Sequence, residues 1–153
     1  MSMRILQMIS KNDRYGAQRI FLDQVKALHD LGHEVFVVAR GSEGYVADSV
    51  RALGIPYHGI AMKGLADILF LRRFIKERNI DVIHTTLDRA DYLGAIVAKL
   101  TGRRVVSTMM GPRCHPGFRF MDRITVLSRM QQRLLEQKGI SPDKITLIRP
   151  GID

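Results

Sequence analysis

The sequence predicts an α/β fold built on a doubly wound, mostly parallel sheet. Three observations lead to this prediction. Short runs rich in β-branched residues alternate with helical patterns along almost the whole chain, as in successive β-α-β units. Runs such as residues 35–38 are continuously apolar, which is typical of strands covered by helices on both faces. The 153 residues, 46% of them hydrophobic, are sufficient to bury one two-sided core.

The strand pattern recurs in up to seven segments. They are residues 3–9, 34–39, 56–60, 81–85, 104–108, 123–127 and 144–148. Right-handed crossovers between parallel strands bring every strand-to-helix loop to one edge of the sheet, where ligands of such folds bind. We therefore expect the functional residues in a few loops. These loops are residues 10–16, 40–44, 85–88 and 109–117, together with the helix start at Ser128.

The helices between the strands are predicted from apolar periodicity and from signals at their ends. Apolar residues recur at helical spacing in the first and fourth helices and are predicted to be core residues: Ala17, Phe21, Val25 and Leu28, then Leu93, Ile96, Val97 and Leu100. Gly32, Gly102 and Gly139 each follow a helix where a left-handed residue is favoured. Ser128 and Gln131 have the spacing of a capping box.

The composition limits the classes of partner and site. A surplus of Lys and Arg gives a net charge of +9 and favours anionic partners, unless it serves only solubility. No apolar run is long enough for a membrane span or a signal peptide, so we expect a cytoplasmic protein. Cys114 is the only cysteine, and no Cys/His cluster has metal-ligand spacing, so we predict no metal. The sequence contains no recognised nucleic-acid-binding module, which argues against a nucleic-acid partner.

The first loop, residues 10–16, contains one glycine and leads into a helix. It therefore matches neither the dinucleotide pattern GxGxxG nor a Walker A loop, which disfavours a nicotinamide or ATP site. Gly16 still allows close approach of a phosphate to the positive end of a helix. The alternative is a simple turn glycine.

The fourth strand leads into the fourth helix through a polar segment. His84 lies near the functional edge, where a histidine is either a hydrogen-bonded structural group or a ligand contact. Asp88 is expected to cap the helix that follows. Arg89 either binds an anion or pairs with Asp88 or Asp91.

The longest irregular segment, residues 109–117, is rich in Gly and Pro and follows a strand. Loops of this kind carry function more often than core elements do. Arg113 and His115 are candidate contacts for a charged acceptor, and the alternative is a rigid loop with solvated side chains. Nothing in the sequence indicates a lowered pKa for Cys114, so it is a weak candidate nucleophile.

A basic amphipathic helix is predicted after the apolar residues 65–71. Its cations are Arg72, Arg73, Lys76 and Arg78. They form either a contact with anionic lipid or a solvated outer face.

Taken together, the motifs resemble the N-terminal domain of the retaining group 1 glycosyltransferases of the GT-B fold. The resemblance spans the chain and rests on residues 15–18 with 28–35, 81–84, 105–108, 124–128 and 144–153, in the family's order. It implies transfer of a sugar from a nucleotide diphosphate sugar, in a cleft between two Rossmann-like domains. No cofactor is implied beyond the nucleotide sugar substrate.

The resemblance also implies a domain organisation and a site. Residues 1–149 correspond to the acceptor-side domain and residues 150–153 to the start of an interdomain linker. The C-terminal donor-binding domain is then missing from this sequence, and we expect the chain alone to be inactive. Gly16 is assigned to phosphate binding, and Gln18, Arg89, Arg113 and His115 to acceptor binding. The remaining cleft candidates are His84, Thr86, Met110 and Ser128.

Two positions depart from the family pattern. Tyr15 stands where the family has a further glycine, and Met110 replaces a histidine that contacts the sugar. The catalytic residue therefore stays unassigned, and whether His115 substitutes for that histidine is left open. We expect a phosphorylated or lipid-linked acceptor of the cell envelope or of a polysaccharide. An anionic membrane, met peripherally on the inner face of the plasma membrane, is a further expected partner.

Two alternative functions belong to other classes. A noncatalytic anion- or membrane-binding α/β module agrees with the basic charge. A nicotinamide oxidoreductase domain lacks its glycine fingerprint.

Overall fold

The computed structural model describes residues 1–149, which form a single sheet with helices on both sides. The strands are β1 Arg4–Ile9, β2 Glu34–Arg40, β3 Tyr57–Ile60, β4 Val82–Thr86, β5 Arg104–Thr108, β6 Arg123–Val126 and β7 Ile145–Leu147. The α-helices are α1 Gly16–Asp30, α2 Tyr45–Ala52, α3 Leu65–Glu77, α4 Asp88–Thr101 and α5 Arg129–Gln137. Two short 3-10 helices span Pro116–Phe120 and Pro142–Lys144. All seven predicted strands are confirmed, with ends that differ by one residue at most. The predicted linker, residues 150–153, lies outside the described residues.

The strands pair in the order β3-β2-β1-β4-β5-β6-β7, and every pairing is parallel. This order confirms the predicted doubly wound, Rossmann-like α/β fold. β2 and β3 lie on one side of β1, and β4 to β7 lie on its other side. The strand order therefore switches between β1 and β4, and ligands of this architecture bind at such a switch point. Gln7 of β1 lies opposite Val37 of β2 and His84 of β4, so these three side chains share one face of the sheet.

Alternate residues of each central strand enter different cores. In β2, Val35 and Val37 point to the side of α1, whereas Phe36 and Val38 point to the side of α4. We call these sides the α1 face and the α4 face. The core on the α1 face consists of Ile9, Phe21, Leu22, Val25, Val35, Val37, Ala39, Val46, Val50 and Ile55. The larger core on the α4 face combines residues of α3, α4 and α5 with residues of five strands. Continuous apolar runs therefore arise because both faces of the central strands are covered.

Coverage of the α1 face stops at β4. Strands β4 to β7 contribute no residue to the core on that face. Instead, a cavity of about 420 Å³ lies between α1 and part of this face, although Gln24 of α1 reaches Thr108 of β5 at 3.4 Å. It is lined by Ile20, Asp23, Gln24, Ala27, Leu28, His84, Thr125, Leu127, Ile148 and Arg149. We call β1–β3 the closed half of the sheet and β4–β7 the open half.

Most end signals of the helices are confirmed, but part of the predicted core is wrong. Gly32, Gly102 and Gly139 have φ values of 92°, 69° and 89°, the left-handed conformation that glycine adopts without strain. In α4, however, Ile96 is 43% and Leu100 is 52% exposed. Both lie on the side opposite the stripe that packs on the sheet, whose buried members are Ala90, Asp91, Leu93, Gly94, Val97 and Ala98. Leu93 and Val97 are four residues apart, as are Ile96 and Leu100, so spacing alone does not show which pair is buried.

The basic helix α3 presents an exposed face with a mixed character. Arg73 pairs with Glu77 at 2.8 Å, and the guanidinium of Arg78 lies 4.9 Å from the centroid of the Phe74 ring. Leu65 and Leu69 are 69% and 54% exposed near the start of the helix. No helix within residues 1–149 is long and apolar enough to cross a membrane.

Candidate active site at the carboxyl edge of the sheet

The loops predicted to carry function meet at the carboxyl edge of the parallel sheet. Each follows the last residue of a strand, and β1 and β4 flank the point where the strand order reverses. The crevice at this point is the expected binding site of a doubly wound fold.

Asn12 fixes the first loop, and its role was not predicted. Its side-chain amide donates to the hydroxyl of Tyr57 at 2.6 Å, and its side-chain oxygen accepts from the Ala47 N–H at 3.0 Å. Its backbone carbonyl accepts from the Tyr45 N–H at 2.8 Å. One side chain therefore joins the loop after β1 to α2 and β3. Asparagine is common in loops, so the sequence contains no specific signal for this contact.

Gly16 begins α1 at an open helix end. The preceding residue, Tyr15, makes no side-chain capping hydrogen bond, and the first turn contains no acidic residue. A Cβ added to Gly16 would meet no atom within 4 Å. This space and the positive end of the helix are compatible with the predicted phosphate contact, which stays a prediction.

Gln18 points inward from the same helix. It is 1% exposed, and its amide donates to the carboxylate of Asp13. The structure thus shows Gln18 bracing the first loop, and its predicted contact with an acceptor stays untested.

His84 lies at the edge of the cavity in the open half. Its Nε2 is 2.6 Å from the hydroxyl of Thr108. Burial lowers the pKa of His84 from 6.5 to about 4, because a charged imidazole loses its hydration there. The ring is therefore neutral near pH 7. Thr86, two residues further, is fully buried, and its hydroxyl has no partner among residues 1–149.

The predicted cap of α4 is wrong. Leu87, with φ of 75°, occupies the capping position, and Asp88 is already the first helical residue, without a capping hydrogen bond. The left-handed turn at Leu87 shifts the helix start by one residue. Arg89 is exposed, and neither Asp88 nor Asp91 pairs with it in the part of the chain that the structure describes.

A buried network surrounds Asp91, which is 1% exposed. Its Oδ1 accepts from the Thr85 hydroxyl at 2.6 Å and the Ser107 hydroxyl at 2.7 Å. Its Oδ2 lies 2.8 Å from Nε2 of His115, a residue that is 4% exposed. The other ring nitrogen of His115 accepts from the Gly117 N–H at 3.1 Å. The sequence pointed to His115 but not to this partner, because no local pattern joins residues 24 positions apart.

The same cluster has the spacing of possible metal ligands. Ligand atoms of Asp88, Asp91 and His115 lie within 4.8 Å of one another. Hydrogen bonds within the protein already engage both oxygens of Asp91 and both ring nitrogens of His115. The i, i+3 spacing of Asp88 and Asp91 was the available sequence signal.

Gln131 holds the other end of the loop 109–117. Its amide donates to the carbonyls of Met109 at 3.2 Å and Gly111 at 3.1 Å, while its side-chain oxygen accepts from the Leu127 N–H. Ser128 caps α5 as predicted, since its hydroxyl accepts from the Gln131 N–H at 3.2 Å. The predicted capping box is incomplete, because the side chain of Gln131 accepts from the N–H of Leu127 and not from that of Ser128.

Arg113 is exposed at the tip of this loop. A cavity of about 130 Å³ beside it is lined by Leu87, Asp88, Asp91, Thr108, Met109, Met110, Gly111, Arg113 and Phe118. The structure thus brings together two of the predicted residues, Met110 and Arg113. It buries His115, and it places Gly16 apart from them at the start of α1.

Comparison with known proteins identifies relatives of this chain. The sequence profile of Glycosyltransferase Family 4 matches residues 15–153. The UDP-Gal:alpha-D-GlcNAc-diphosphoundecaprenol alpha-1,3-galactosyltransferase of Escherichia coli is 28% identical over 93 residues, which cover 57% of this chain and 24% of that protein.

Solved structures share the fold at low identity. HepE of Anabaena in complex with UDP-glucose has a TM-score of 0.83 and 18% identity, over 99% of this chain and 44% of that one. The lipopolysaccharide outer core galactosyltransferase WaaB has a TM-score of 0.74 and 12% identity, over 98% of this chain and 46% of that one. The chain spans less than half the length of these proteins.

Proposed function

The chain belongs to Glycosyltransferase Family 4 and has the Rossmann-like fold of a GT-B glycosyltransferase N-terminal domain, and from this premise we propose the activity of the whole protein. It is a retaining, group 1 enzyme that transfers a sugar from a nucleotide diphosphate sugar to an acceptor of the cell envelope or of a polysaccharide. The family match across residues 15–153 carries the proposal. The name of the Escherichia coli relative supports a UDP-sugar donor and a lipid-linked diphosphate acceptor.

Gly16 and Arg113 have the main roles in this proposal. The open start of α1 at Gly16 offers backbone N–H groups to the charge that grows on the departing diphosphate. Arg113, exposed at the tip of its loop, binds the anionic group of the acceptor. Arg89 gives a second cation on the exposed side of α4.

A second domain completes the enzyme in this proposal. Residues 1–149 form the acceptor side, and residues 150–153 lead into a donor-binding domain. Two observations support this: the solved relatives are more than twice as long as the matched region, and the open half of the sheet has one face without a covering helix among residues 1–149. On this basis we expect residues 1–153 alone to transfer no sugar.

The activity is tested with the full-length protein, UDP-sugars and a lipid-linked diphosphate acceptor. We expect transfer, and we expect Gly16→Val to reduce turnover by at least about tenfold, because a β-branched side chain obstructs approach to the helix start. Gly16→Ala is the control, since its Cβ would meet no atom within 4 Å, and it should keep more turnover than Gly16→Val. Near-normal turnover of Gly16→Val at saturating substrate would contradict the role of Gly16. The absence of transfer from every UDP-sugar would contradict the activity.

We further propose that the protein is cytoplasmic and meets the inner face of the plasma membrane peripherally. The exposed Leu65 and Leu69 of α3 lie on the same side as Arg72 and Lys76, because these residues are spaced at helical intervals. Each cation near an anionic surface contributes about 1 kcal/mol. The same surface would serve the second candidate function, a noncatalytic membrane-binding module.

Vesicle cosedimentation tests the membrane proposal. We expect binding to anionic vesicles that exceeds binding to neutral ones and decreases as salt is raised. The double variant Arg72→Gln/Lys76→Gln should weaken binding more than Arg19→Gln/Lys99→Gln, which removes the same charge from other exposed positions. Equal effects of the two variants would show that vesicle binding depends on the net charge of the protein and not on the position of these cations. Membrane binding by a full-length protein without transferase activity would favour the module.

A further inference from the structure

The buried carboxylate of Asp91 connects three elements at the carboxyl edge. It accepts hydrogen bonds from Thr85 on β4 and Ser107 on β5, and its second oxygen faces the His115 ring. Asp91 itself lies in the first turn of α4, where a negative charge is favourable. Buried carboxylates are tolerated when their oxygens are engaged in this way. The carboxylate is therefore a fixed point to which the loop before Pro116 is attached.

The hydrogen-bond partners of His115 determine its tautomer. Nδ1 accepts from the Gly117 N–H, so this nitrogen carries no proton. Nε2 then carries the proton and donates it to Asp91 at 2.8 Å. The ring of Phe118 stacks on the imidazole with centroids 4.1 Å apart, and Tyr92 packs on it at 4.9 Å. The imidazole is neutral and held in one orientation.

This anchor lies two residues from Arg113. On the other side of Arg113, also two residues away, Gln131 holds the carbonyl of Gly111 at 3.1 Å. The backbone of the loop tip is thus fixed from both sides, while the guanidinium is exposed and has no hydrogen bond or ion pair within residues 1–149. Buried groups that fix a loop pre-organise the exposed group that it carries.

We propose that Asp91 and His115 are positioning residues that hold the loop 109–117 so that Arg113 faces the anionic group of the acceptor. His115 acts in its neutral form with hydrogen on Nε2, and it touches neither donor nor acceptor. This inference rests on the proposed function, since it takes Arg113 as the acceptor contact. It gives His115, which is 4% exposed, a positioning role in place of the direct acceptor contact expected from the family resemblance.

Two readouts on the chain of 153 residues separate positioning from simple stability. The first is ¹⁵N relaxation of the amides of residues 113 and 114, which reports motion of the loop tip. The second is affinity for inorganic pyrophosphate, the probe for a diphosphate group. His115→Ala should loosen the loop tip and weaken pyrophosphate binding about three- to tenfold, although Arg113 is intact. His115→Gln, whose amide reaches Asp91 in the place of Nε2, should restore part of both. Long-range ¹H–¹⁵N spectra of the unaltered chain should show the Nε2–H tautomer.

Ser107→Ala is the matched control. It removes a hydrogen bond from the same carboxylate without touching the loop, so it should lower the melting temperature but leave loop motion and pyrophosphate affinity unchanged. The double variant Arg113→Gln/His115→Ala should bind pyrophosphate as weakly as Arg113→Gln alone, because His115 acts through Arg113.

The possible failures are distinguishable. An unchanged loop tip in His115→Ala, an Nδ1–H tautomer, or equal effects of His115→Ala and Ser107→Ala would overturn the positioning role. If the loop tip loosens but Arg113→Gln leaves pyrophosphate affinity unchanged, or the unaltered chain binds no pyrophosphate, the acceptor contact of the proposed function is wrong. In that case His115 still holds the loop, but it does not position an acceptor contact.

Discussion

The two halves of the sheet are built from similar strands but are covered differently. In the closed half, α1 and α2 lie on one face, and residues of α3 pack on the other, where Phe74 meets the rings of Phe36 and His58. In the open half, α4 and α5 cover the α4 face, whereas the α1 face borders a cavity of about 420 Å³.

Polar side chains follow this difference. The α1 face of the closed half is apolar except for Gln7 of β1, whereas the cavity of the open half is lined in part by the polar residues His84, Gln24 and Thr125. At the boundary, Gln7 is fully buried, and neither atom of its amide has a partner within residues 1–149. The closed half thus has an extensive apolar core on this face, whereas the polar groups that require hydrogen-bond partners lie at its boundary and in the open half.

The largest expected difference between the halves comes from truncating a large apolar side chain on the α1 face. Phe21 is fully buried over the closed half, so Phe21→Ala should lower the free energy of unfolding by about 3–5 kcal/mol. Leu127 lines the cavity of the open half and is only partly buried, so Leu127→Ala should cost less than about 1 kcal/mol. Urea denaturation of both variants measures the difference. Equal losses would contradict the distinction between the two halves.

His84 should make the open half sensitive to pH. Its pKa is lowered from 6.5 to about 4 in the folded state, so the unfolded chain binds a proton first as the pH falls. The stability contributed by the neutral ring is present above pH 6.5 and is lost progressively down to about pH 4. The expected loss is about 3 kcal/mol, at 1.36 kcal/mol per pKa unit.

The control for this prediction is His84→Gln, which cannot titrate. Its free energy of unfolding should change less between pH 6.5 and pH 4 than that of the unaltered chain. Urea denaturation at a series of pH values measures both curves, and parallel curves would contradict the assignment to His84.

The smallest expected difference concerns two loop glycines. Gly44 has a φ of 139°, and a Cβ there would lie 2.6 Å from the carbonyl oxygen of Asn12. Gly44→Ala should therefore cost about 1–3 kcal/mol. Gly111, in the loop beside the open half, has no atom within 4 Å of an added Cβ, so Gly111→Ala should change stability by less than about 0.5 kcal/mol. Thermal melting compares the two, and the reverse order would show that the first loop is not tightly held.

The fold could be predicted because its signals are local. Apolar runs mark the strands, and the glycines after α1, α4 and α5 mark helix ends. Periodicity alone did not decide which side of α4 is buried, so Ile96 and Leu100 were wrongly assigned to the core. The cap of α4 was also wrong, because the left-handed backbone of Leu87 is rare for this residue type and has no sequence signal.

The candidate site was predicted less completely than the fold. Residue types in loops identified Arg113 and His115, but their environments depend on residues far away in the sequence. Asp91 was assigned no role in the site, although it holds His115, and Asn12 was overlooked although it joins three segments. Hydrogen bonds across long sequence separations follow only from the packed structure.

The central position of β1 has a consequence for how the chain folds during its synthesis. β1 is made before β4, which is one of its two neighbours, and the N–H of Arg4 donates to the side chain of Asp81, 77 residues later. At about 5–20 residues per second, the ribosome needs about 4 to 15 s to deliver that partner. During this interval one edge of β1 has no neighbouring strand, and an unpaired apolar strand is prone to aggregate. The nascent chain should therefore need a chaperone most while residues 10 to 86 are being synthesised.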